Sequence, residues 1–153
     1  VFDDNCVIDA KGDTNKGITI GNGVLVGRNS IIYCKNGDIQ IEDGVNISSN
    51  CTIVSANRVS IGKGVLICGY THLLSGGGYD FSNKSVKFSE QSGAVSEGEL
   101  VIGPDCWLGA RVTVLDAACI GEHCVIGACS LVNKPIPPNS LAYGIPAKVV
   151  KNI

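Results

Sequence analysis

The sequence predicts an all-β fold in which very short strands wind into a stacked triangular coil. Two observations carry this. The first is a six-residue period: counting in sixes from Ile102 meets Leu108, Val114, Ile120, Ile126 and Val132, all aliphatic. Glycine follows at positions 103, 109, 121 and 127, and the slot four places on holds Cys106, Val112, Ala118, Cys124 and Ser130. A sixfold repeat fits neither an amphipathic helix nor one long alternating strand. The second observation is composition. Aromatics make up only 5% of 153 residues, against 20 Gly and 8 Cys. Large rings supply much of the volume of an ordinary core, whereas a narrow interior of Ile, Val and small side chains has no room for them.

Each hexad reads as a flat strand and a corner. The aliphatic residue points inward, glycine permits the tight corner, and the small residue fills the remaining interior. Three hexads close one coil, and successive coils pair as parallel sheets about 4.8 Å apart. In chain order, Val1–Thr19 predicts an irregular first coil. Ile20–Gly37, Ile41–Arg58 and Ile61–Gly78 are three clear coils, marked by Ile20, Val26, Ile32, then Ile41, Ile47, Ile53, then Ile61, Ile67, Leu73. Phase slips after Gly37 and at Val59–Ser60 separate them. The stretch Tyr79–Val101 loses the period, is rich in Gly and Ser, and predicts an extruded loop, which at this length is usually functional. Ile102–Cys119 and Ile120–Pro137 complete the coils, and residues 138–153 form a cap. The result is one domain over residues 1–153, a prism roughly 30 Å tall.

A net charge of −2 leaves no basic face for nucleic acid or an anionic membrane. No apolar run approaches the roughly 18 residues of a helical span, and no basic-then-apolar leader is read. The chain opens at Val1 without Met, as expected of a processed or excised chain with N-terminal context missing. Its cysteines, at 6, 34, 51, 68, 106, 119, 124 and 129, include no C-x-x-C pair, which weakens a zinc or redox motif. Cys51, Cys106 and Cys124 fall in the small inward slot and are expected to be free thiols packed as small hydrophobes. Such thiols suit a reducing cytoplasm. Cys34, Cys51 and Cys68 lie about one coil apart, which leaves an opportunistic disulfide open.

Several segments carry a resemblance: Ile102-Gly103-Pro104-Asp105-Cys106-Trp107-Leu108-Gly109-Ala110, Ile126-Gly127-Ala128, Asn133-Lys134-Pro135-Ile136-Pro137-Pro138-Asn139-Ser140 and Gly144-Ile145-Pro146-Ala147-Lys148. Together they resemble the hexapeptide-repeat, left-handed parallel β-helix acyltransferases, and among these the maltose, galactoside and polysaccharide O-acetyltransferases. The left hand, opposite to the usual crossover rule, comes from the resemblance alone. So do acetyl-CoA as co-substrate without a metal, a homotrimer with its site in the groove between two prisms, and a small hydroxyl or amino acceptor such as a sugar. The resemblance lays the pantetheine arm along Gly109, Ala110, Gly127 and Ala128, where small corners let a thin chain approach the backbone. It puts Lys134, Lys148 and Arg111 near the CoA phosphates. Tyr79, Asp80 and Glu90 of the loop are expected to contact the acceptor. Trp107 is expected beside the loop base, either walling the acceptor pocket or packing between subunits.

Acyl transfer needs a base for the acceptor's proton and donors for the oxyanion, and histidine is the natural base near neutral pH. Of the two histidines, His123 lies mid-hexad and is expected to face solvent. His72, in Tyr70-Thr71-His72-Leu73, is the candidate catalytic base. Yet the family's histidine, with coils laid side by side without gaps, falls at Gly78. Two readings stay open. Either the coil register differs and His72 is the base, or the usual histidine is absent. In the second case Tyr79 with Asp80 assists, or the chain is a non-catalytic binding or assembly module. Two histidines in unmatched slots weigh against a three-histidine zinc site on the same scaffold.

Overall fold

The computed structural model describes residues 1–91 and 95–153. In chain order the strands are β1 (Val7–Lys11), β2 (Ile18–Ile20), β3 (Leu25–Val26), β4 (Ile31–Lys35), β5 (Asp38–Ile41), β6 (Asn46–Ile47), β7 (Thr52–Ser55), β8 (Arg58–Ile61) and β9 (Leu66–Ile67). They continue as β10 (His72–Ser75), β11 (Leu100–Ile102), β12 (Trp107–Leu108), β13 (Thr113–Val114), β14 (Cys119–Ile120), β15 (Val125–Ile126), β16 (Leu131–Val132), β17 (Ser140–Gly144) and β18 (Ala147–Asn152). Three sheets result. Face A runs β3-β6-β9-β12-β15-β17-β18, face B runs β1-β4-β7-β10-β13-β16, and face C runs β2-β5-β8-β11-β14. The chain visits C, A and B in turn, so each circuit closes a triangle and the faces meet at edges A/B, B/C and C/A. The molecule is the all-β parallel solenoid that the sixfold period predicts.

The inward residues form columns. On face B, Ile32, Ile53, Leu73, Val114 and Val132 stack in register, each at most 1% exposed. Burying a side chain of this size stabilises by about 1.5–3 kcal/mol. Edge A/B is turned by Asn29, Asn50, Tyr70, Arg111 and Cys129, all with φ near +60°. Asn tolerates this left-handed conformation well, whereas Tyr70 and Arg111 hold it against a steric cost.

The phase slips are not joints between blocks. Face B pairs Ile32 with Ile53 and Ile53 with Leu73, a spacing of 21 and then 20 residues, whereas Val114 pairs with Val132, 18 residues on. The extra residues lengthen the strands of faces B and C in the lower coils, so alternation continues for one further inward step before the corner. Cys34 and Ile39, Ser55 and Val59, and Ser75 and Leu100 are the buried residues so added. Other boundaries shift for similar reasons. The irregular first coil contains β1, paired with β4 over five residues. The C-terminal cap is β17, which extends face A above β15, followed by β18 folded back antiparallel. The loop ends two residues earlier than expected, because Leu100 and Val101 already belong to β11. Residues 92–94 of the expected loop lie outside the described residues.

The eight cysteines, all among the described residues, are free thiols. Cys34, Cys51, Cys106 and Cys124 are buried. Burial pushes the Cys51 and Cys34 thiols up, and lifts Cys106 from 9.0 to about 11. No helix of the described residues is long and apolar enough to cross a membrane.

Candidate active site

Face B is bounded by two unlike edges. Along edge A/B, Gly109, Ala110 and Arg111 follow β12, and Gly127, Ala128 and Cys129 follow β15 one coil on. The corners are knitted by backbone bonds: Gly109 donates to Ile126 O at 2.8 Å, Cys129 to Ala110 O at 2.9 Å, and Arg111 to Gly69 O at 3.0 Å. A Cβ at Gly109 would stand 2.7 Å from the Ala128 nitrogen, and one at Gly127 2.7 Å from Tyr143 Cβ. Coil stacking alone therefore demands both glycines. Ala110 and Ala128 are exposed, so the strip presents little more than two methyl groups and backbone. The Arg111 guanidinium lies 5.5 Å from the centroid of the Tyr70 ring, a cation–π contact one coil down the same edge.

His72 opens β10 at the A/B end of face B and points outward. Its backbone N–H donates to Val112 O at 2.9 Å, and its ladder neighbours are Thr52 and Thr113. Leu73 beside it is fully buried, so the register counted in sixes holds here, and a base role for His72 rests on the edge it occupies rather than on a shifted coil. His72 and the Gly109–Arg111 strip thus share one edge, and Gly78 remains at the root of the loop.

The loop rises from edge B/C. Gly78 and Val95 form an antiparallel bridge, with N···O distances of 3.2 and 2.7 Å. A Cβ on Gly78 would come 3.2 Å from Val95 O. Above the bridge, the Gln91 side-chain amide accepts from Asp80 N and donates to Asp80 O, both at 2.8 Å. The Tyr79 and Phe88 rings meet edge-on with centroids 6.4 Å apart. Asp80 accepts from Ser82 Oγ at 2.6 Å and Ser82 N at 2.9 Å, bonds that hold its carboxyl below the usual carboxylate range. Glu90 pairs with Lys87 at 3.2 Å.

The loop root converges on Asp116, which sequence reasoning missed. Its carboxylate accepts from Gly76 N at 2.8 Å, Ser96 Oγ at 3.1 Å, Ser75 Oγ at 3.3 Å and Glu97 N. The signal was present, since Leu115-Asp116 breaks the aliphatic-glycine rhythm that the neighbouring hexads keep.

Other expected residues are not brought together within one chain. Trp107 lies on face A, across the prism from edge B/C, and its Nε1 donates to Cys68 Sγ at 3.3 Å. The expectation that it stands beside the loop base is therefore corrected for a single chain. Faces alternate every hexad, and position 107 falls on the third face. Lys134 follows β16 at edge B/C, while Lys148 lies in β18 opposite Tyr143. Neither clusters with Arg111. His123 is exposed at edge C/A, with Nδ1 2.7 Å from Asp105 Oδ2, a pairing that the one-coil spacing of 18 residues could have revealed. Among the described residues no group of three or more His, Cys, Asp or Glu could hold a metal ion.

A three-sided parallel solenoid with a small-residue edge and one extruded loop sets the architecture, and comparison with known proteins supplies the class. Residues 100–134 match the family described as bacterial transferase hexapeptide (six repeats). The chain is 31% identical over 153 residues to a protein of Escherichia coli strain K12 named as the lipopolysaccharide biosynthesis O-acetyl transferase WbbJ, spanning 95% of this chain and 75% of that one. It superposes on a hexapeptide-repeat acetyltransferase of Vibrio cholerae, VCA0836, with TM-score 0.72 and 26% identity, over 87% and 72% of the two chains. It also superposes on a galactoside acetyltransferase in complex with coenzyme A, with TM-score 0.58 and 26% identity, over 99% and 65%. The share of a relative's length that this chain spans ranges from 44% in a Mycobacterium tuberculosis protein to 75% in WbbJ. This chain belongs to the hexapeptide-repeat acyltransferase family.

Proposed function

We propose that this chain transfers an acetyl group from acetyl-CoA to a hydroxyl or amino group of a small acceptor, a sugar in the first instance, and that it works as a homotrimer. One observation carries the reading. His72 and the small-residue strip share edge A/B, while the loop bearing Tyr79, Asp80 and Glu90 is rooted at the opposite edge of the same face. A cyclic threefold assembly that turns face B toward its axis brings edge A/B of one copy against edge B/C of the next. The outward columns of face B suit such burial. Ile31, Thr52, His72, Thr113 and Leu131 form one, and Tyr33, Val54 and Leu74 another, while charge enters at the foot of the face as Asp9, Lys11 and Lys35. Face C instead presents Thr19, Gln40 and Ser60.

In this arrangement Ala110 and Ala128 leave room for a pantetheine arm, and Arg111, Lys134 and Lys148 offer charge to the CoA phosphates. Trp107 walls the groove from face A. Bound there, acetyl-CoA supplies an activated acyl group. His72 takes the proton of the acceptor's hydroxyl or amine as that atom attacks the thioester carbon, and the carbon–sulfur bond breaks to release CoA thiol. Eight free thiols fit a reducing compartment such as the cytoplasm. Thiol release measured across hydroxylated and amino sugars, with His72→Ala beside the wild type, tests the chemistry. Sedimentation tests for a mass three times the chain's 15.9 kDa. Unchanged turnover in His72→Ala removes it as the base, and a monomer removes the shared site.

Gly78 favours a second reading, a CoA-binding or assembly module without catalysis, because the loop root carries no side chain where the family places its histidine. Bound CoA with no thiol release for any acceptor would support this reading. So would turnover that appears only on Gly78→His.

A further inference from the structure

The extruded loop creates a problem that an unbroken coil does not have. At the turn below, Ala56 N–H donates to the Ser75 carbonyl at 2.7 Å, and the corner closes backbone to backbone. Counting two residues on from the Leu73–Val114 pair stacks Ser75 beneath Asp116. Here the chain leaves the prism, and the amides on both sides of the departure need new acceptors. The Asp116 side chain supplies them. Oδ1 takes Gly76 N–H on the outgoing arm at 2.8 Å, and Oδ2 takes Glu97 N–H on the returning arm. Ser96 Oγ lies 3.1 Å from Oδ1 and accepts 2.8 Å from Asn57 Nδ2, one coil below. The root is thus gripped from above by a carboxylate and from below by an amide. The same corner is where the coil shortens from 20 residues to 18.

We propose that Asp116 is a positioning residue for acceptor binding. By clamping both arms of the loop at its root, it fixes where Tyr79, Asp80 and Glu90 stand. This rests on the acyl-transfer reading for its functional half only. A charge-assisted bond to a backbone N–H is stronger than a neutral one, and one carboxylate serving both arms couples them. Loss of the clamp therefore loosens both arms at the root together. The small-residue strip that takes the pantetheine arm is not part of the clamp.

The test compares Asp116→Ala and Asp116→Asn with the wild type by amide hydrogen exchange and steady-state thiol release. In Asp116→Ala, exchange at Gly76 and Glu97 rises about tenfold or more, as expected for a lost charge-assisted bond, while core amides at Leu73 and Ile102 keep their protection. Asparagine retains the oxygen facing Gly76 and sets an NH₂ toward Glu97, so Asp116→Asn frees Glu97 and spares Gly76. Acceptor KM rises about tenfold in Asp116→Ala, with kcat and CoA affinity within about twofold, and Asp116→Asn falls between. Exchange at Gly76 and Glu97 unchanged in Asp116→Ala overturns the clamp. Freed amides with an unchanged acceptor KM overturn its role in acceptor binding. If the wild type releases no thiol with any acceptor, the acyl-transfer reading and the acceptor role fail together, and exchange still decides the clamp.

Discussion

The two edges of face B are built on opposite terms. Edge A/B repeats without interruption, its corners bonded backbone to backbone with the coils above and below, and at the strip its chemistry is reduced to glycine, two methyl groups and one stacked arginine. Edge B/C is broken once, and the break is filled by side-chain bonds from Asp116, Ser96, Asn57 and Gln91. A repeat fixes a smooth surface along which a long ligand can lie. Only an interruption can supply an irregular pocket for a particular acceptor. On the proposed function, the contrast makes edge A/B the donor side and edge B/C the selective side.

The sharpest way to break that division is His72→Ala. It is expected to slow thiol release about 10²–10⁴-fold, with CoA binding by titration unchanged. An intact rate would move the reacting group away from edge A/B. Next is stability. Leu108→Ala, directly beneath the strip, should cost about 2–5 kcal/mol in urea unfolding, whereas Phe88→Ala in the exposed loop should stay within about 0.5 kcal/mol. Equal losses would mean that the loop is part of the folding unit. A subtler test is Ala128→Val, which thickens the strip on an exposed corner. CoA affinity should fall about tenfold, a change of about 1.4 kcal/mol, with acceptor KM unmoved.

A separate expectation is a pH dependence that should ignore both edges. Burial holds the Cys106 thiol at about 11 against 9.0 ordinarily. The native state therefore keeps a proton that the unfolded chain has released, and stability falls as pH rises from about 9 toward 11. Chemical denaturation across that range should show the decline in the wild type and less of it in Cys106→Ala. A parallel loss of CoA affinity over the same range would tie this core thiol to the site.

Much of the fold was legible because the period is written in residue types that have only one place to go. Ile102, Leu108, Val114 and Ile126 recur in sixes, and all are buried. The wider lower coils were not legible, because Cys34 and Ser55 are small enough to read as corner residues. Only the register with the next coil shows them as an added inward step. The strip at Gly109, Ala110, Gly127 and Ala128 came from the resemblance, and the period adds only that glycine recurs at its corners. Asp116 escaped because its partners, Gly76 and Glu97, are backbone amides some 20 to 40 residues away, and an amide leaves no trace in a sequence. Trp107 follows the loop closely along the chain yet sits away from its root within one chain, because the faces change every hexad.

A stack of parallel coils has two open ends, and either could template the next molecule. On face A that growth is stopped by β18, which runs against the direction of every other strand in its sheet. A second copy bringing the lower end of its own face A there would meet a strand of the wrong polarity, and the parallel ladder could not continue. Chain reversal at Gly144 thus separates a discrete particle from a growing fibre. Shortening the chain before Ala147 would strip that protection and leave β17 as a bare edge for polymerisation.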